Sequence, residues 1–233
     1  MARIVKEQAY AVKRNEILDV AQRLVYTKGY EQMTIQDILD DLQISKGAFY
    51  HYFDSKQALL EALIERMLQE GIQLITPIVH DPHMPALEKL QRYFATVARY
   101  KTTQKTFLLA LLRVWYTDDN AIVRQKIFAM GVKRVTPLLT AIILQGIQES
   151  VFSTPFPDQA GEVVLSILLN LADSLAELLL SCEPDQDALQ RLERTVAAYS
   201  DALECVLRAP TGSLCLVDAE TLKEWVVSPG DNA

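Results

Sequence analysis

The sequence predicts an all-α fold, with an N-terminal three-helix domain over residues 10–70 and a larger helical domain over residues 71–233. Two observations carry this. Apolar residues recur every three to four positions nearly throughout the chain, the period of an amphipathic helix. Period-two alternation bounded by turn residues, the mark of a strand, surfaces only weakly around Ser213 to Val217. With 233 residues, 50% of them hydrophobic, there is enough apolar mass for one large core or two smaller ones without covalent staples.

Each element follows from local signals. Ile17, Leu18, Ala21, Leu24 and Val25 form one stripe on a first helix that stops at Gly29, a residue free to leave helical geometry. Thr34-Ile35-Gln36-Asp37 reads as a capping-box variant, with Thr34 accepting from the amide of Asp37, and Ile35, Ile38, Leu39 and Leu42 make a short second helix. Gln43-Ile44 is a tight connection, where a left-handed backbone costs a glutamine about 1 kcal/mol. Ser45 then N-caps a third short helix running through Lys46 to Tyr52. Asp54-Ser55-Lys56-Gln57 opens a longer helix from about Lys56 to Ile75, stopped near Pro77. Past the proline-rich segment Asp81-Pro82-His83-Met84-Pro85, helices are expected over about 86–103, 105–117, 121–150, 158–181 and 185–208, one of them kinked by Pro137.

Composition narrows the function classes. Cys182, Cys205 and Cys215 are odd in number and at no metal-ligand spacing, which argues against a disulfide framework or zinc site and fits a reducing cytosol. The start, MARIVKEQAYAVKR, has no apolar signal-peptide core, and the greasiest run, Val163 to Leu180, is interrupted by Asn170, Asp173 and Glu177, so a cytoplasmic protein with no membrane partner is expected. His80-Asp81-Pro82-His83 is the sole metal-like cluster. It lies in a proline-flanked connection without helical i, i+4 spacing, so no metal site is expected. There is no nucleophile elbow, phosphate-cradling glycine loop or dinucleotide fingerprint, so neither an enzyme nor a cofactor is expected. The net charge of −7 stands against a nucleic-acid partner, but residues 1–56 balance eight basic against eight acidic side chains. Within them the first fourteen residues hold Arg3, Lys6, Lys13 and Arg14 against Glu7 alone, a basic arm or a frayed basic tail.

Two short helices joined by a tight turn have the lengths of a helix-turn-helix DNA reader, here about Thr34 to Phe53. The third helix sharpens the reading. Phe49 and Phe53 can face the core beside Ile38 and Leu42, leaving Lys46, Tyr50, His51 and Tyr52 directed away from it. Phenol hydroxyls can donate to phosphate oxygens, and an exposed lysine neutralises charge or reaches a guanine edge. Gly47 allows close approach to a DNA backbone. The competing account of Tyr50, His51 and Tyr52 is an aromatic cluster packed on a neighbouring helix.

The run T-I-Q-D-I-L-D-D-L-Q-I-S-K-G-A-F-Y-H-Y-F-D-S-K resembles the helix-turn-helix of the TetR family of transcriptional regulators, with Ser45, Gly47, Phe49, Tyr50, Tyr52, Phe53 and Lys56 in register. The resemblance covers about residues 10–70 and departs from the family at Gln43, where glycine is frequent. It implies that Thr34 and Gln36 touch DNA from the supporting helix, that Ser45, Lys46, Gly47, Ala48, Tyr50, His51 and Tyr52 do so from the recognition helix, and that Lys56 meets a phosphate. It further implies a ligand cavity and a dimer interface in the larger half, and repression of transcription relieved by a small molecule.

In that half, Val163, Val164, Ile167, Leu168, Leu171, Leu175, Leu178 and Leu179 make one apolar face, and Leu189, Leu192, Val196, Tyr199, Leu203 and Val206 a second. Two such helices per chain can pair into a four-helix bundle across a two-fold axis, with Ile167, Leu168, Leu171, Leu175, Leu192, Val196, Tyr199 and Leu203 as the homodimer interface, or can be spent in the chain's own core. A two-fold dimer predicts a pseudo-palindromic operator in double-stranded DNA. Tyr93, Phe94, Tyr100, Phe107, Trp115, Tyr116, Phe128 and Met130 are the candidates for lining a pocket for a small apolar or aromatic effector, with ordinary core packing as the alternative. The rival function is a ligand-sequestering or partner-binding helical protein without DNA activity. That reading leaves Lys46, Tyr50 and Tyr52 without a role.

Overall fold

A computed structural model describes residues 2–181 and 186–226 of the chain. Ten α-helices follow one another among the described residues, with no strand: α1 (Ala2–Gln32), α2 (Ile35–Leu42), α3 (Lys46–Tyr50), α4 (Lys56–His80), α5 (Ala86–Thr103), α6 (Lys105–Trp115), α7 (Ala121–Gln148), α8 (Ala160–Ser181), α9 (Gln186–Leu207) and α10 (Ala219–Val226). They form two compact units. The first takes residues 1–68 and 106–127, the second residues 69–105 and 128–233. The chain therefore passes between units within α4, at the start of α6 and within α7.

The core of the first unit is the stripe read from the sequence with additions from later in the chain. Ile17, Leu18, Ala21 and Val25 of α1, Ile38 and Leu39 of α2, Phe49 and Phe53, and Leu59, Leu60 and Leu63 of α4 form one buried cluster. Phe107, Leu111 and Val114 of α6 complete it. Arg66 fastens α4 to α1 by an ion pair with Asp19 at 2.6 Å and hydrogen bonds to Gln22 and the Leu18 carbonyl.

Several boundaries differ from the sequence reading. The first helix begins at Ala2, so the basic arm starts in helical backbone, and the side chains of residues 1–5 lie outside the described ones. Gly29 interrupts helical geometry at φ 80°, ψ 158°, as its permissive backbone allows, before one further turn to Gln32. The fourth helix continues through Pro77 to His80. A proline inside a helix removes one hydrogen bond and costs about 3 kcal/mol. Here Ile75 and Val79, both buried on one face, offset that cost, and the Thr76 hydroxyl donates to the Ile72 carbonyl at 2.6 Å. Pro137 lies inside α7.

In the second unit α8 packs against α9, and α8 starts so close to α7 that a Cβ at Gly161 would lie 2.9 Å from the Thr140 amide nitrogen and 3.0 Å from the Thr136 carbonyl. Only glycine fits that approach. Residues 213–217 form no strand; Leu214 and Leu216 are buried, and the buried Glu204 carboxylate accepts from the amides of Gly212 and Leu214, each at 2.8 Å. The tail then turns into α10, whose start is capped by Asp218 accepting from the Thr221 amide at 2.8 Å. Leu222 is buried and the Trp225 indole donates to Thr102 at 2.9 Å.

Two segments, Asp118–Gln148 and Ala160–Ser181, are long and apolar enough to cross a membrane by length and composition alone. In α8 this apolarity is divided between burial against the rest of the chain and an outward face. Leu171 is buried there, while Val163 is 42% and Leu180 42% exposed.

Candidate nucleic-acid interface

The α2–α3 segment is built from caps at both ends of its turn. Thr34 accepts from the Asp37 amide at 3.2 Å, and Asp37 returns the bond by accepting from the Thr34 amide at 2.6 Å. Lys28 adds an ion pair to Asp37 at 2.5 Å. Hydrogen bonds from Lys28 and then from Thr34 hold the Asp37 carboxyl well below the usual carboxylate range. Gln43 closes α2 in the left-handed conformation at φ 51°, ψ 43°, the geometry that glycine serves elsewhere. Its side-chain amide donates to the Asp40 carbonyl at 2.6 Å, a local bond that offsets part of the strain. Ser45 then caps α3 by accepting from the Ala48 amide at 3.2 Å.

The third helix is shorter than the sequence suggested, ending at Tyr50 with His51 as its cap. Its inward side is Phe49, wholly buried, followed after the turn by Phe53 at 3% exposure. Lys46, Gly47 and His51 are exposed, and Tyr50 is 42% exposed with the Lys46 ammonium 6.0 Å from its ring centroid. Ala48 is half-buried. A Cβ placed on Gly47 would meet only the Ser45 hydroxyl at 3.9 Å, so nothing inside the chain requires a glycine there.

Other members of the expected DNA-facing set are engaged within the chain. Thr34 is occupied as a cap, and Gln36 donates to Asp40 at 2.7 Å from an exposed position. Tyr52 is half-buried and packs against the core cluster. Its ring centroid is 4.7 Å from that of Tyr10 on α1, and His51 stands edge-on to both, 5.6 Å from Tyr10 and 5.0 Å from Tyr52. The contact with a neighbouring helix is thus present for His51 and Tyr52, while Tyr50 stands edge-on to Phe49 of its own helix at 5.5 Å. Sequence reasoning missed Tyr10. The available signal was its spacing, since Tyr10 and Arg14 extend the stripe of Ile17, Leu18 and Ala21 toward the N-terminus, and the Arg14 guanidinium lies 5.0 Å from the Phe53 centroid. Lys56 is also engaged, over the Tyr30 ring and on the Glu31 carbonyl.

The eight residues named for an effector pocket divide between the two units. Phe107 is 1% exposed in the core of the first unit, Trp115 packs against that core, and Tyr116 is 40% exposed beside Arg124. Phe107 therefore serves the core on which the recognition helix rests. Tyr93 and Phe94 are buried in the second unit as an edge-to-face pair 5.6 Å apart, and burial pushes the Tyr93 phenol far above its ordinary range. Tyr100 donates to Glu70 at 2.6 Å, Phe128 is 45% exposed and Met130 is half-buried.

Of the eight named dimer-interface residues, Leu171, Leu192, Val196 and Leu203 are buried within the single chain. Their burial is spent within the chain, where α8 packs against α9 and α9 against α10, because each helix must first bury one face against its neighbours. Ile167, Leu168, Leu175 and Tyr199 stay partly exposed. Ile167 and Tyr199, with Gln159, Glu162, Val163, Ser166 and Asn170, line an open groove of about 470 Å³ on the α8–α9 surface. Tyr199 is fixed there by hydrogen bonds to Asn170 and Ser174.

Comparison with known proteins agrees with this geometry in both units. Residues 17–63 match the model of bacterial regulatory proteins of the tetR family, and residues 113–176 match the tetracyclin repressor-like C-terminal domain. The chain is 24% identical over 202 residues to the HTH-type transcriptional regulator YfiR of Bacillus subtilis, covering 84% of this chain and 93% of that one. It is also 24% identical over 130 residues to the HTH-type transcriptional repressor DhaR of a Mycobacterium species, covering 56% of this chain and 65% of the relative, just under two thirds of its length. The crystal structure of a transcriptional regulator from Cytophaga hutchinsonii shares the fold, with a TM-score of 0.64 at 20% identity over 84% of this chain and 99% of that one. Two family matches at separate places in the chain, joined to a capped helix-turn-helix with an exposed Lys46 and Tyr50, show that this chain belongs to the TetR family and is a DNA-binding transcriptional regulator.

Proposed function

We propose that the chain is a homodimeric repressor that grips a pseudo-palindromic operator through α3 and is released by a small apolar or aromatic effector. The observation that carries the DNA half is the sidedness of α3: Phe49 is wholly buried, while Lys46, Gly47, Tyr50 and His51 are exposed, and nothing inside the chain requires a glycine at position 47. Lys46 supplies charge to a phosphate or a guanine edge, Tyr50 a phenolic donor, and Gly47 the room for close approach. Thr34 and Ser45 act first as the N-caps of α2 and α3, and Gln36 bonds Asp40 within α2.

Dimerisation is supported by the apolar surface that α8 leaves in the single chain, Val163, Ile167, Leu168 and Leu175, beside Tyr199 of α9. A regulator with one short recognition helix per chain needs a second copy, because two half-sites multiply the contacts and set the operator's symmetry. Release requires that the effector prefer a conformation in which the two recognition helices are misplaced for successive major grooves; a tenfold loss of operator affinity corresponds to about 1.4 kcal/mol of such preference. Its path lies among the continuous chain crossings at α4, α6 and α7. Of the candidates for lining its pocket, Tyr93, Phe94, Tyr100, Phe128 and Met130 belong to the second unit.

The test is selection of genomic fragments by the purified chain followed by footprinting, then displacement by a panel of small aromatic and aliphatic compounds. Two protected half-sites related by a dyad, lost when one compound class is added, support the proposal. Protection of a single unsymmetrical site contradicts the homodimer, and no enriched fragment contradicts the DNA role.

A further inference from the structure

The recognition helix poses a structural problem that its own sequence does not solve. At five residues, α3 is too short to hold its shape by backbone hydrogen bonding, since helix nucleation is unfavourable and short helices depend on tertiary packing. Its start is secured by the Ser45 cap and its middle by buried Phe49. Its end carries His51 and Tyr52, two residues of the DNA-facing set, and the chain must then turn at once to bury Phe53.

The side chain standing against that end comes from α1. The Tyr10 ring lies 4.7 Å from Tyr52 at an interplanar angle of 37° and 5.6 Å from His51 at 81°, while His51 meets Tyr52 at 5.0 Å and 79°. One turn further along α1, the Arg14 guanidinium covers the Phe53 ring at 5.0 Å. Tyr10 itself is 39% exposed, so core burial does not account for it. Its ring is placed instead at the solvent edge of the unit, where it limits the orientations open to an exposed imidazole and a half-buried phenol.

We infer that Tyr10 is a positioning residue for operator binding, acting through His51 and Tyr52 by the three-ring contact at the end of α3. The inference rests on the proposed DNA role of α3 and adds a residue from outside the helix-turn-helix. Because the ring rather than the hydroxyl makes these contacts, a phenylalanine serves as well. Edge-to-face and tilted ring pairs have geometric preferences that an alanine removes, and pre-ordering a binding surface lowers the entropic cost of association.

The experiment measures operator affinity by fluorescence anisotropy across a salt series for the native chain, Tyr10→Ala, Tyr10→Phe, Tyr52→Ala and the Tyr10→Ala/Tyr52→Ala pair. Urea midpoints and the His51 ring-proton NMR shifts of the free proteins are recorded alongside. Tyr10→Ala is expected to weaken binding about fivefold to tenfold with an unchanged salt slope. Tyr10→Phe is expected to stay within about twofold of native, and the double variant to be no weaker than Tyr52→Ala alone, the non-additivity of a shared contact. The His51 resonances should move in Tyr10→Ala and hold in Tyr10→Phe as the neighbouring ring is lost or kept. Native-like binding by Tyr10→Ala overturns the inference while leaving the DNA role standing. A Tyr10→Phe variant as weak as Tyr10→Ala, with a shallower salt slope, also overturns it by showing a hydroxyl–phosphate contact. Failure of the native chain to bind any enriched fragment overturns the DNA role and this inference together.

Discussion

The Lys56 ammonium sits 4.4 Å from the Tyr30 ring centroid and donates to the Glu31 carbonyl at 3.1 Å, while the Tyr30 hydroxyl donates to the Lys56 carbonyl at 3.1 Å. The end of α1 and the start of α4 are locked reciprocally. Burial pulls the Lys56 ammonium below its usual range, opposed by the charges of Glu31 and Asp37, and pushes the Tyr30 phenol up to about 12. The motif resemblance gives Lys56 to a phosphate; the geometry gives it partners within the chain. Lys56→Ala is expected to lower unfolding stability by about 1 kcal/mol through the lost cation–π contact and hydrogen bond. The salt slope of operator binding should stay unchanged. A slope shallower by about one would show that the lysine turns to a phosphate.

The cap at the start of α2 makes the DNA-binding unit sensitive to acid. Asp37 is depressed by its bonds from Lys28 and Thr34, so its folded-state carboxyl ionises more readily than the unfolded one. A depressed carboxylate contributes stability that is present above its unfolded value, about 3.9, and is lost as the pH falls through the folded value. The native chain should therefore exceed Asp37→Asn in urea midpoint near neutral pH, and the gap should close progressively below about pH 4. A gap that is constant with pH would place the stabilisation in packing rather than in charge.

Gly47 separates a stability requirement from a binding requirement. An alanine Cβ there meets nothing closer than 3.9 Å, and alanine favours a helix over glycine by up to about 1 kcal/mol. Gly47→Ala should leave the urea midpoint equal or higher while weakening operator binding by about tenfold or more, as the methyl group intrudes on the DNA backbone. Equal stability with undiminished binding would remove Gly47 from the interface.

The open face of α8 is accessible to a direct test of assembly. Ile167 is partly exposed beside Val163 and Tyr199, so Ile167→Glu puts a charge into the proposed two-fold seam without disturbing the buried Leu171 and Leu192. Sedimentation should show a dimer for the native chain and a monomer for the variant, with operator affinity lost in parallel. A variant that remains dimeric would move the interface elsewhere.

Much of the fold was legible because its signals are local. The Thr34 capping box, the Ser45 cap and the break at Gly29 all follow from one or two residues and short-range hydrogen bonding. What was not legible depended on partners far along the chain. Phe107 and Trp115 read as pocket aromatics until α6 was seen to complete the core beneath the recognition helix. Pro77 read as a stop because the burial of Ile75 and Val79, which sustains the helix past it, is a tertiary property. The α8 and α9 stripes could not be apportioned between seam and surface, since periodicity shows that a face is apolar and not what covers it. The tail's α10 lay beyond the helices expected from the sequence; Asp218 caps its start, and Leu222 and Trp225 hold it.

The central claim is that exposed side chains of α3 bind DNA, and fluorescence anisotropy with DNA flanking the chain's own coding region tests it most directly, in moderate and high salt, for the native chain and Lys46→Ala/Tyr50→Ala. Both substituted side chains lie outside the core, so the variant should keep its helical circular dichroism. Saturable, salt-sensitive binding by the native chain that the variant loses is the predicted result. Equal binding by the two proteins would contradict the assignment of α3 as the recognition helix.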